Sequence, residues 1–132
     1  MAIAARKLRT LFDARAKARG ITYARARLLA ALTHRGSMTQ AELAEALNVE
    51  RPTMARLIDG MEQCGLVTRE VSSDDRRART IRLTPLADSQ VEAVNELTTQ
   101  IRKEILAGVD PDDLATATRV LAIISDNLAK AS

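Results

Sequence analysis

Along most of this chain the apolar positions recur at helical spacing, and only past the middle do they briefly alternate. Ile3, Ala4, Leu8, Leu11 and Phe12 share one face of a helix over 3–19, with Lys and Arg opposite, and Gly20 ends it. Ala24, Leu28, Leu29, Ala31 and Leu32 mark a second helix over 22–34, closed by His34, Arg35 and Gly36. Thr39 to Glu42 (TQAE) reads as a capping box opening a short helix to Leu47. Asn48 and Val49 then turn the chain, and Pro52 falls in the first turn of a helix reaching about Gln63, where its missing N–H breaks no bond.

On that helix Met54, Leu57, Ile58 and Met61 form one stripe at about 100° per residue. Arg56 and Gln63 point the opposite way, with Thr53 at the margin, and Gly65 stops the helix. Residues 66–71 and 80–83 are strand candidates, the second alternating as a half-buried strand should. Thr84 and Pro85 predict the start of a long helix carrying Leu86, Val91, Val94, Leu97, Ile101 and Ile105 up to Gly108. Asp110, Pro111, Asp112 and Asp113 open a last helix, placing acids at its positive end, and it bears Leu114, Ala117, Leu121, Ile124 and Leu128.

The fold class this predicts is mostly α with a small β-hairpin wing. Two short helices around a tight turn, followed by a hairpin, make a winged helix-turn-helix. Residues 1–132 are read as a single domain, with a winged-helix lobe over 22–84 and dimerisation helices over 1–20 and 85–132. The Leu and Ile stripes of those terminal helices have too small a lobe to hide against, so a second copy is expected to cover them.

Composition narrows the picture. The chain has 132 residues, enough for one domain with a real core, and its aromatic content is only 2%, so Leu, Ile, Val, Ala and Met must build that core. A net charge of +3 hides a gradient: residues 1–35 carry nine basic groups against one acid, while residues 86–132 carry four against eight. Ends of opposite sign attract each other wherever their helices pack.

No apolar run approaches the roughly 18 residues of a membrane span, and MAIAARKLRT lacks the apolar stretch of a secretory signal. A cytoplasmic protein without a membrane partner is expected. The single cysteine, Cys64, excludes an internal disulfide and is read as packed or idle, while His34, lacking a second ligand, is read as a helix-end residue. No cofactor is expected, and no nucleophile, base and orienting acid fall in a recognisable order, so the chain is read as not an enzyme.

Function is expected where the charges crowd. Between the two strands Asp74, Asp75, Arg76, Arg77 and Arg79 gather in a hairpin that no core would accept. A thin loop bearing Arg76 and Arg77 fits the minor groove of double-stranded DNA, whose narrow A·T-rich segments concentrate negative potential. A helix about 10 to 12 Å across fits the major groove. There Arg56 offers a bidentate contact to guanine, and Thr53, Gln63 and the backbone at Arg51 meet bases or phosphates. A rival reading is a winged-helix module that binds protein through the same face and never touches DNA, for which the acid pair Asp74 and Asp75 is the best support.

Residues 39–85, from TQAELAEALNVERPTMARLIDGMEQCGLV to IRLTP, closely resemble the core of the MarR family of bacterial transcriptional regulators, particularly its SlyA-like members. The resemblance rests on the TQAELA opening, on RLID with a glutamate before GLV, and on a D-x-R wing followed by an I-x-LT strand. It implies a homodimer with intertwined terminal helices, recognition helices in successive major grooves and wings in the flanking minor grooves. It further implies that Asp75 and Arg77 are the wing D-x-R, with Arg77 in the minor groove and Asp59 pairing with it as a wing support, and that Arg56 and Thr53 read or brace DNA. Many members release DNA on binding small aromatic acids; here Phe12 and Tyr23 are the only aromatic residues. The chain departs from the family pattern at Ala26, where an aromatic residue is frequent, and at Ala87, where glycine is usual.

Overall fold

The computed structural model describes residues 2–71 and 79–132. Local chemistry sets most element boundaries. Helix α1 (Ala2–Ala18) stops before Gly20, whose φ of 73° favours glycine. Thr22 caps α2 (Tyr23–Arg35) by accepting from the Arg25 N–H at 3.2 Å. The short strand β1 (Ser37–Thr39) leads into α3 (Gln40–Leu47) through the complete capping box: the Glu42 N–H donates to Thr39 Oγ1 and the Thr39 N–H to Glu42 Oε1, each at 3.1 Å. Asn48, left-handed at φ 53°, closes α3 and turns the chain into α4 (Arg51–Gln63).

After Gly65, β2 (Val67–Val71) and β3 (Arg79–Leu83) pair antiparallel, Val67 opposite Leu83 and Arg69 opposite Ile81. β1 adds to the far side of β3 with Met38 opposite Ile81, giving the sheet order β1-β3-β2. A 3₁₀ turn (Pro85–Ala87) precedes α5 (Asp88–Ile105), and α6 (Pro111–Ala131) follows. The chain divides into two compact units, residues 1–99 and 100–132, with the boundary inside α5.

In the first unit Leu28, Leu29 and Leu32 of α2, Met38 of β1, Leu43 of α3, Met54, Ile58 and Met61 of α4, and Val67 and Ile81 of the sheet are all buried. This is a winged helix-turn-helix whose helices close over one face of a small sheet. Ala26 and Ala87, the two departures from the family pattern, are buried as well. In the second unit none of the α6 residues is buried, and Leu121, Ile124 and Leu128 stand exposed.

Four expectations are corrected or refined. The two-stranded hairpin is part of a three-stranded sheet, because β1 pairs with β3. Thr84 does not cap a long helix: its hydroxyl donates to the Gly65 carbonyl, a 3₁₀ turn comes first, and α5 begins at Asp88. Cys64, read as packed or idle, is exposed after the last turn of α4, which removes the packed alternative. Ala24, expected on the inner face of α2, is also exposed, and Ala26 is buried in that helix.

The capping box makes stability depend on pH. Hydrogen bonds from the Thr39 backbone and then from its side chain, with Arg35 beside them at 2.9 Å, hold the Glu42 carboxyl below its ordinary 4.5. A depressed folded-state value means that this contribution is complete above 4.5 and is lost as pH falls through the lower folded value. We expect the urea midpoint to drop more steeply between neutral and acid pH in the natural protein than in Glu42→Gln. Parallel profiles would show that the carboxylate contributes nothing.

Candidate nucleic-acid interface

The geometry of α4 follows from its sequence. Its inner stripe, Met54, Ile58 and Met61, is fully buried, and Leu57 is half-buried. That anchoring turns Thr53, Arg56 and Gln63 outward, and all three are exposed, as is Arg51 in the first turn. Glu50, the cap residue, makes no side-chain cap bond, and Pro52 has no N–H, so the first turn of α4 keeps backbone donors at its positive end that its own cap residue does not fill.

Asp59 and Glu62 lie on one flank of this exposed face. Both reach Arg69 of β2, which forks between them, one guanidinium nitrogen on Asp59 Oδ1 and the other 2.7 Å from Glu62 Oε1. Arg69 is the least exposed of the three, with 20% of its side chain accessible against 57% for Asp59 and 43% for Glu62. The hydrogen bond to Asp59, opposed by partial burial and reinforced by Glu62, raises the Arg69 pKa further above its ordinary value, so the fork is always charged.

Among the described residues Asp59 pairs with Arg69, while its expected pairing with Arg77 rests on a residue outside them. Arg76, Arg77, Asp74 and Asp75 lie outside the described residues. Arg69 itself went unnoticed in the sequence, although a signal was there: in a period-two strand it shares the inward face of Val67, so an arginine there needs an acid on the element beneath.

The turn before α4 has its own brace. Arg27 of α2 donates to the Leu47 carbonyl at 2.8 Å, satisfying the end of α3, while its guanidinium lies 5.6 Å from the centre of the Tyr23 ring. Arg9 lies 4.9 Å from the same ring, and Phe12 meets it edge-on at 5.5 Å. Farther along α1, Arg19 pairs with Glu96 of α5 at 3.1 Å, one point where the basic amino end meets the acidic carboxyl end. Among the described residues no group of three or more His, Cys, Asp or Glu is placed to hold a metal, and no helix is long and apolar enough to cross a membrane.

A model of the MarR family matches residues 19–78. The chain is 40% identical to the transcriptional regulator PA3341, over 98% of this chain and 95% of that one, with a TM-score of 0.89. A MarR family transcriptional regulator from Silicibacter pomeroyi is 26% identical over 96% of this chain and 84% of its own, with a TM-score of 0.88. A mutant of Escherichia coli MarR complexed with operator DNA shares the fold, with a TM-score of 0.80 at 22% identity over 93% of this chain and 89% of that one. The winged helix built on an anchored α4, the family match across its centre and the 40% identical regulator over nearly its whole length together establish that the chain belongs to the MarR family of transcriptional regulators.

Proposed function

We propose that the protein is a homodimeric, sequence-specific DNA-binding regulator of the SlyA-like kind, a repressor that grips a palindromic operator. The observation that carries this reading is the helix α4, buried along one stripe and offering Arg56, Thr53 and Gln63 along the other. Its first turn, without a side-chain cap, suits a phosphate oxygen. In this reading Arg51, Thr53, Arg56 and Gln63 meet the major groove and its backbone, and Arg76 and Arg77 meet the minor groove, with Asp59 and Asp75 supporting the wing. The protein acts by binding, without catalysis.

The second copy is assigned to the terminal helices. On α6, Leu114, Ala117, Leu121, Ile124 and Leu128 follow one another at alternating steps of three and four, the spacing of a two-helix seam. Ile3 and Leu8 of α1 are likewise exposed. In keeping with this reading, a small aromatic acid would act where Arg9 and Arg27 flank Tyr23 beside Phe12, because ligand contact with Arg27 disturbs the carbonyl at the end of α3.

Anisotropy titrations at several salt concentrations test the reading. Binding should weaken linearly in log affinity against log salt, and Arg77→Ala should weaken it and flatten the slope by about one, since one phosphate-neutralising charge is gone. An unchanged slope would remove Arg77 from the interface. A protein that ignores DNA at low salt and binds another protein through α4 would instead be the interaction module.

A further inference from the structure

We propose that Arg69 is a positioning residue of the DNA-binding face that works by masking charge: it holds Asp59 and Glu62 so that DNA phosphates approaching α4 do not meet two free carboxylates. The proposal rests on the DNA-binding reading above and assigns Arg69 no contact with DNA.

The side chains of the helix carry no net charge to attract a polyanion. α4 carries two arginines, Arg51 and Arg56, and two acids, Asp59 and Glu62. Asp59 falls one turn after Arg56 and one turn before Gln63, so its carboxylate borders the two side chains at the centre of the exposed face. About half of the Asp59 and Glu62 side-chain surface remains accessible, which leaves their field open to a partner unless it is cancelled locally.

Arg69 is placed to cancel it. The register puts Arg69 opposite Ile81, on the sheet face that meets the helices, and its planar fork takes one carboxylate on each side. The charge of the helix and its brace together becomes positive. A lysine at this position would supply the charge without the two-armed geometry.

The test uses the intact protein and a labelled duplex carrying the sequence that it selects from a random DNA pool. Arg69→Ala should lose about tenfold in affinity at low salt, and the deficit should shrink as salt rises and screens the exposed acids. Adding Glu62→Gln to Arg69→Ala should restore affinity to within about threefold, although no ion pair is restored. Glu62→Gln with Arg69 kept should bind as tightly as the natural protein or tighter.

Several results would overturn the proposal: no loss in Arg69→Ala, a loss equal at every salt concentration, no rescue by Glu62→Gln, or weaker binding by Glu62→Gln alone. An intact protein that selects no sequence overturns the DNA-binding reading itself, a different outcome from normal selection with indifference to Arg69.

Discussion

Leu121→Glu combined with Ile124→Glu should turn the protein into a monomer and lower its affinity for operator DNA by about a hundredfold or more. On the proposed α6 seam Leu121 is 50% exposed and Ile124 38% exposed within one chain, so neither substitution removes a buried contact of the subunit. Across a dimer seam, however, each glutamate would bury an unpaired carboxylate, which costs several kcal/mol. A monomer presents one α4 to DNA instead of two, and the second half-site contributes nothing. Sedimentation equilibrium and an anisotropy titration on the same preparations check both parts. A double variant that remains dimeric would move the partner surface elsewhere.

Ile58→Ala is expected to have the largest effect on stability, about 2–5 kcal/mol, because it removes buried methyl groups and leaves a void under α4. Against the 5–15 kcal/mol typical of a whole domain this is a severe loss. Ile58 is fully buried, and it sits directly before Asp59, so the same side chain seats the helix against the core and points its acidic flank at Arg69. Urea denaturation gives the stability change. Leu86→Ala, at an exposed position, should cost far less and serves as the control.

Much of the architecture was readable in the sequence because its boundaries are set by local chemistry. Thr39 with Glu42, Gly65 with its φ of 77°, and Asp110 accepting from Asp112 and Asp113 each act within a few residues, so pattern alone finds them. The inner stripe of α4 was equally plain from its spacing. What escaped depends on distant partners. β1 has only Met38 as an inward residue, too little for alternation to register, and it exists because β3 pairs with it. Thr84 has the look of a cap, yet its hydroxyl is taken by the carbonyl of Gly65 across the hairpin.

The candidate site divides the same way. That Arg56, Gln63 and Thr53 turn outward follows from helix periodicity, whereas the pairing of Asp59 with Arg69 requires knowing that β2 lies against α4. The resemblance to a family supplied Arg77 as the partner of Asp59. The inward position of Arg69 in a strand was the physical clue that an acid of α4 lies beneath it.

Selection of bound duplexes from a random DNA pool tests the central claim most directly. Recovered sequences should converge on an inverted repeat with half-site centres about 10 to 10.5 base pairs, or roughly 34 to 36 Å, apart, and Arg56→Ala should relax the preference at one position in each half. A pool that shows no enrichment, or one that converges on a single unrepeated site, would contradict a dimer reading DNA through paired α4 helices.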